Sequence, residues 1–187
     1  MADNNRIDHL YKIFQNVNDW LKFSEAKNAM LIAFNGASIY GLMKLLDLNT
    51  VKTVAFFQVI LVIVIGIIVI STVVALISFV PQVTIVKPEE WFARDISKNI
   101  FFFEYLKNQG PEEILREVSQ PDEPADFSTL ERDLAVQIQQ NSIIASRKFG
   151  YFTIALWITI AAYITVVVAG LLFWLTYFRN RQVESQV

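Results

Sequence analysis

The sequence contains no cysteine and a single histidine, His9, among its 187 residues. Disulfide bonds, thiolate metal sites and cysteine nucleophiles are therefore excluded, and one histidine is too few for an ordinary zinc site. A net charge of −2 gives no reason to expect binding to nucleic acid. Glu112 and Glu113 form a carboxylate pair, but adjacent residues on a helix diverge by about 100°. We therefore predict no catalytic residue, no metal site and no cofactor, and we do not expect an enzyme.

Long uncharged runs fill much of the chain instead. Residues 53–80 carry no charged side chain over 28 positions, and residues 150–178 carry none over 29. Each run exceeds the roughly 20 residues that cross a hydrocarbon core about 30 Å thick, which excludes a soluble globular protein. Residues 28–43 are also uncharged, and Lys44 can extend that shorter span by reaching toward the headgroups. The sequence predicts transmembrane helices at 28–46, 53–80 and 150–178.

The polar segments also follow a helical pattern. Residues 1–27 have apolar side chains at spacings of three and four, which predicts an amphipathic cytosolic helix: Ile7, Leu10, Phe14, Val17 and Leu21. Ser128 and Glu131 match a capping box, and no proline or glycine follows before Gly150. The predicted fold is an all-α membrane protein with three transmembrane helices and a helical cytosolic segment at 81–149, whose last helix is continuous with the third span. Residues 179–187 form a tail.

Small residues recur every fourth position in the first span. Such a stripe lets two helices approach closely in lipid, where dispersion then favours their association. We therefore interpret this face as a helix-packing or oligomer interface and expect a homo-oligomer. The stripe consists of Ala29, Ala33, Ala37 and Gly41.

The basic residues indicate an orientation. Twelve of the 16 lysines and arginines lie in residues 1–27 and 81–149, which share one side of the membrane if there are three spans. Because cytoplasmic segments carry the excess of basic residues, we expect the N-terminus inside the cell and the C-terminus outside.

Three stretches resemble the Pycsar transmembrane effector family. They are residues 24–37 (SEAKNAMLIAFNGA), residues 99–105 (NIFFFEY), and residues 130–149, which lead into a membrane helix. The resemblance implies a bacterial anti-phage effector in the inner membrane, with a periplasmic C-terminus. It further implies that a partner cyclase makes a cyclic pyrimidine mononucleotide, cyclic CMP or cyclic UMP. The effector would bind that nucleotide in segment 81–149 and impair the membrane, causing abortive infection.

A cyclic nucleotide presents one phosphate charge and a flat base, which suit basic and aromatic side chains respectively. The candidates for the phosphate are Arg94, Lys98, Arg116 and Arg132. The candidates for stacking on the base are Trp91, Phe101, Phe103 and Tyr105.

Two other functions are compatible with the residues. One is a membrane-anchored scaffold that binds a protein partner through its cytosolic helices. The other is a small channel or transporter subunit, which is disfavoured because the spans lack charged relay groups.

Overall fold

A computed structural model describes residues 2–52, 54–80, 99–119 and 126–184, with side chains from Asn5 to Leu175 within those ranges. This described part of the chain contains helices and no strand. The helices are α1 (Ala2–Leu46), α2 (Asn49–Lys52), α3 (Ala55–Ile77), α4 (Phe103–Leu106), α5 (Pro111–Val118) and α6 (Thr129–Glu184).

Three of these helices are long and apolar enough to cross a membrane. The stretches that qualify are Asn5–Leu46 in α1, Ala55–Ile77 in α3 and Thr129–Leu175 in α6. The predicted fold class is therefore confirmed, including the continuity of the last cytosolic helix with the third span. This continuity follows from the sequence, since α6 contains no proline and its glycines, Gly150 and Gly170, leave the helix unbroken.

The helix ends also follow from local chemistry. At α6 the backbone N–H of Ser128 donates to Glu131 Oε2 at 2.7 Å, and the Glu131 N–H points back to Ser128 Oγ at 3.4 Å. This is the predicted capping box. Helix α5 begins with Pro111 in its first turn, where a missing N–H costs nothing. The Gly110 N–H donates to Glu113 Oε2 at 2.8 Å.

The chain forms two compact units. The first, which we call the polar unit, comprises Met1–Lys27 and Phe79–Gly150; the second, the membrane unit, comprises Asn28–Ser78 and Tyr151–Val187. Helices α1 and α6 each contribute residues to both units.

The described residues of the polar unit form a hydrophobic core between its helices. Of the predicted amphipathic face, Leu10 and Val17 are fully buried, while Ile7, Phe14 and Leu21 are partly buried. Other members complete the core: Ile13, Phe103, Leu106, Ile114, Leu115, Phe127, Ala135, Ile138 and Ala145. Phe103 packs against the N-terminal helix, with its ring centroid 5.5 Å from that of Trp20.

The membrane unit packs as a three-helix seam. The buried positions of α3 alternate at spacings of four and three, and those of α6 follow the same rule, which is the pattern of helices that interlock side chains along a shallow crossing. On α3 these are Phe57, Leu61, Val64, Ile68, Ser71 and Ala75; on α6 they are Ala155, Thr159, Ala162 and Ala169. Three alanines seven residues apart on α6 allow close backbone approach.

Candidate functional site

Helices α1 and α6 run parallel within the polar unit, with their partners offset by nearly the same number of residues. Arg6 contacts Glu131, Asn141 Nδ2 donates to Asn18 Oδ1 at 2.8 Å, and Lys148 Nζ lies 2.6 Å from Glu25 Oε1. The separations are 125, 123 and 123 residues. The described part of the polar unit is therefore built on a long parallel helix pair, against which α4 and α5 pack.

A buried ion pair fixes the start of this helix pair. Arg6 Nε donates to Glu131 Oε1, and the two side chains are only 6% and 0% exposed. The guanidinium carbon of Arg6 also lies 5.2 Å from the centroid of the Phe127 ring. Burial by itself would raise the pKa of Glu131, but the hydrogen bonds from Arg6 and Ser128 outweigh it and hold the pKa below its ordinary value of 4.5.

Two of the predicted base-stacking residues lie in the core. The Phe103 ring stacks on Phe149 with centroids 5.2 Å apart and is 6% exposed. Tyr105 is 8% exposed and donates its hydroxyl hydrogen to Glu117. This hydrogen bond, together with burial and the charges of Glu117 and Glu113, raises the pKa of Tyr105 to about 12. Both rings already have aromatic or carboxylate partners that a ligand would have to displace.

Phe101 differs from these two because half of its side chain is exposed. Its backbone is held on both sides: the N–H donates to Asn99 Oδ1 at 3.0 Å, and the carbonyl accepts a hydrogen bond from Asn16 Nδ2. The ring is therefore presented to solvent from a fixed backbone. Such a ring can stack on a flat base without first breaking a core contact.

The predicted phosphate ligands that the structure describes are exposed. Arg132 Nη1 lies 2.6 Å from Glu112 Oε1, with the two side chains 52% and 51% exposed. Its Nε donates to the Phe127 carbonyl at 3.4 Å. Arg116 is exposed on α5. Trp91, Arg94 and Lys98 lie outside the described residues, and the described contacts do not join Phe101 to either arginine.

Sequence reasoning missed an aromatic and basic cluster that adjoins Phe103 in the polar unit. Trp20 has ring neighbours at centroid distances of 6.0 Å for Phe23 and 6.2 Å for Phe149. Lys27 Nζ lies 4.6 Å from the centroid of Phe23, a ring that is 47% exposed. The signal was present, since Trp20, Phe23 and Lys27 are spaced by three and four on one helical face. This cluster offers the same chemistry, a ring and a cation, as the predicted site.

The membrane unit contains a buried polar triad to which each spanning helix contributes one side chain. Asn35 Nδ2 donates to Ser71 Oγ at 3.2 Å, and Thr159 Oγ1 donates to Asn35 Oδ1 at 3.2 Å. Ser71 Oγ lies 2.8 Å from Thr159 Oγ1 and donates to the Ala155 carbonyl at 2.7 Å. Exposure is 0% for Asn35, 0% for Ser71 and 3% for Thr159. Asn35 thus forms hydrogen bonds to both of the other spanning helices.

The predicted small-residue stripe is exposed in the single chain. Leu31 and Asn35 form the buried face of α1 in the membrane unit, whereas Ala29, Ala33, Ala37 and Gly41 lie on exposed positions. A Cβ atom added at Gly41 would meet no atom within 4 Å. The stripe therefore lies outside the buried face by which α1 packs against the described residues of its own chain.

No group of three or more histidine, aspartate or glutamate side chains that could hold a metal ion occurs in the described residues.

Comparison with known proteins identifies the family. Residues 9–175 match the family model described as Pycsar effector protein domain. Because the match covers far more than half of the 187 residues, the chain belongs to the Pycsar effector family. No curated protein and no solved structure matches it. The resemblance seen in the sequence is confirmed, and membership supports an anti-phage effector role in a membrane, with a cyclic nucleotide signal and a cyclase partner. The family is not a known enzyme family.

Proposed function

We propose that this Pycsar effector binds a cyclic pyrimidine mononucleotide, cyclic CMP or cyclic UMP, through its polar unit and then impairs the bacterial inner membrane. The nucleotide comes from a partner cyclase that responds to infection. Loss of the membrane barrier kills the infected cell before phage mature, which is abortive infection. The observation that supports this most is the family match over residues 9–175, which takes in most of the polar unit and the apolar parts of all three spans.

The polar unit is the receptor in this proposal because it holds the charged and aromatic groups that a nucleotide needs. The exposed Phe101 ring stacks on the base, and Arg132 or Arg116 pairs with the phosphate. Arg132 exchanges its exposed Glu112 partner for the ligand at little cost, since surface ion pairs contribute about 0–1 kcal/mol. The unbroken helices α1 and α6 carry the effect of binding to the membrane unit.

The binding free energy of a micromolar ligand is large enough to drive such a switch. A ligand bound with a dissociation constant of about 1 μM releases about 8 kcal/mol. Moving an equilibrium between two states from 1:99 to 99:1 needs about 5.5 kcal/mol of differential binding. Micromolar affinity is therefore enough if most of it favours the active state.

The direct test is dye leakage from liposomes that contain the full-length protein. Addition of cyclic CMP or cyclic UMP should release the dye, whereas cyclic AMP at the same concentration should not. Arg132→Ala should raise the nucleotide concentration needed for half-maximal leakage by about 10- to 100-fold, since a hydrogen bond to a charged group contributes about 1.5–3 kcal/mol.

Lys22→Ala is the matched control for this assay. Lys22 also forms an exposed ion pair, with Asp19, but lies outside the proposed site, so its variant should respond like the unmodified protein. Intact dye retention with both pyrimidine nucleotides, in vesicles shown to contain inserted protein, would contradict the proposal and favour the scaffold function.

We further propose that the small-residue stripe joins copies of the chain in a homo-oligomer. All four of its residues are exposed in the single chain, and close helix approach needs small side chains. Ala33→Leu should therefore shift the protein toward the monomer in chemical cross-linking within liposomes. Met30→Leu on the same helix is the control, because it exchanges one large side chain for another at a 70% exposed position and so leaves the size of the face unchanged. Equal cross-linking of the two variants would refute the interface.

The orientation follows from the same proposal. A cyclase product appears in the cytoplasm, so the polar unit and the N-terminus face the cytoplasm and the C-terminus is periplasmic. The excess of lysine and arginine in residues 1–27 and 81–149 supports this arrangement.

A further inference from the structure

We propose that the Asn35, Ser71 and Thr159 triad lines the passage through which water and small ions cross the membrane when the effector is active. This inference rests on the proposed function and adds to it the place within the membrane unit where the barrier fails. The species that cross are water and small hydrated ions, because the triad offers neutral hydroxyl and amide groups and carries no charge.

The triad has fewer hydroxyl hydrogens than its oxygen–oxygen contacts need. Three oxygen–oxygen contacts join the group: Ser71 to the Ala155 carbonyl, Ser71 to Thr159, and Thr159 to Asn35. The two hydroxyls supply only two hydrogens for these three contacts. A water molecule that enters between the helices can donate the missing hydrogen, so the triad gains bonds when it is hydrated.

Apolar layers close the seam on either side of the triad. Leu31, Ala75 and Ala155 form one packed cluster, and Val64, Ile68 and Ala162 form another. Tight apolar constrictions exclude water and so block ion flow. In the resting state the triad is therefore dry, as its exposure of 3% or less shows.

The seam is open to lipid on one side of the triad. A groove of about 450 Å³ is lined by Leu31 and Phe34 of α1 and by Thr159 and Tyr163 of α6. Thr159 thus belongs both to the triad and to the groove wall. Across this groove α1 and α6 remain joined by the Phe34 and Tyr163 rings, whose centroids lie 5.4 Å apart, and by a hydrogen bond between the Ser38 and Tyr163 hydroxyls. In the active state that we propose, the three helices separate at the triad itself, so that water enters between them and not through the lipid-facing groove.

The absence of native cysteine makes this testable with a single thiol. Ser71→Cys replaces a hydroxyl by a thiol of similar shape, and only a water-exposed thiol reacts with a charged methanethiosulfonate reagent. In liposomes, Cys at this position should stay unmodified without nucleotide and react once cyclic CMP or cyclic UMP is added. The modification rate should rise about 100-fold if activation moves the open state from about 1% to about 99%.

Two control variants give the unreactive and the fully reactive limits of the assay. Val62→Cys lies on an exposed face of α3 that faces lipid, and it should stay unreactive with and without nucleotide. Leu48→Cys lies between α1 and α2 and should react in both conditions. If the Ser71 variant fails to insert, Thr159→Cys replaces it and gives the deciding result. Nucleotide-dependent leakage with an unreactive thiol would overturn the triad as the passage and leave the proposed function intact. Absence of leakage from the unmodified protein would instead overturn the proposed function.

Discussion

Replacement of Arg6 by methionine is expected to destabilise the polar unit by about 3–5 kcal/mol, because it leaves the Glu131 carboxylate buried without its cation. Glu131 is 0% exposed, so water cannot take over the role of the guanidinium. The change is measured as lost protection of the amides of residues 131–145 in hydrogen exchange on the full chain in detergent. Methionine keeps an apolar side chain against Phe127, so the effect reports the lost charge.

Two further variants separate the charge effect from other causes. Lys22→Met breaks the Lys22–Asp19 pair, whose side chains are 74% and 73% exposed, and should change stability by less than about 1 kcal/mol. Combining Arg6→Met with Glu131→Gln should recover most of the loss, since no unpaired charge remains and the amide oxygen still accepts from Ser128. An Arg6→Met protein as stable as the Lys22→Met protein would contradict the buried-pair argument.

The same pair predicts a pH dependence of definite sign. The pKa of Glu131 is lower in the folded chain than its ordinary value of 4.5, so the folded state favours the ionised form. The resulting stability is fully present above 4.5 and is lost as the pH falls through the folded-state pKa. Protection of residues 131–145 should therefore fall on acidification below pH 4.5, and this fall should be smaller in the Arg6→Met variant.

Truncation of Phe103 to alanine is expected to cost the polar unit about 3–5 kcal/mol through the cavity it leaves. The Phe103 ring packs among those of Trp20, Phe102 and Phe149, with centroid distances between 5.0 and 5.5 Å. Loss of helical circular dichroism at lower temperature, together with exposure of Trp20 to solvent, measures the effect. Nucleotide binding should be lost only to the extent that the unit unfolds.

Phe101→Ala is the matched control, two residues away with a half-exposed ring. It should leave the unfolding temperature nearly unchanged and weaken nucleotide binding by about 1–3 kcal/mol, the range for one base stacked on an aromatic ring. A Phe103→Ala protein that stays fully folded but no longer binds nucleotide would reverse these assignments and make Phe103 the stacking residue.

The elements that could be predicted from the sequence are those set by neighbours along the chain. The uncharged runs, the capping box at Ser128 and the unbroken course of α6 depend on local composition and spacing alone. Asn35 could be interpreted as an interhelical hydrogen-bonding residue because a lone amide in an apolar span needs a partner in lipid. Its partners, Ser71 and Thr159, could not be named without the helix pairing.

What the sequence could not supply depends on contacts between distant residues. In the sequence Glu131 has the position of a surface carboxylate near the start of a helix. Its burial depends on the contact with Arg6, which lies 125 residues earlier in the chain. The sequence also does not show which of the three consecutive phenylalanines is buried. Their burial depends on the turn in which the Phe102 N–H donates to the Asn99 carbonyl at 3.0 Å, which leaves Phe101 in solvent and places Phe103 in the core.

The parallel pairing of α1 with α6 has a consequence for synthesis of the protein in the cell. Thr159 follows Asn35 by 124 residues, and Glu131 follows Arg6 by 125. At about 5–20 residues per second, ribosomes need about 6–25 s to supply each partner. During that interval the first two spans lie in the bilayer with Asn35 and Ser71 already made and Thr159 still missing. Neither unit can be completed on a nascent or truncated chain, so a fragment ending before residue 129 lacks the α6 half of the polar unit and the third helix of the membrane unit.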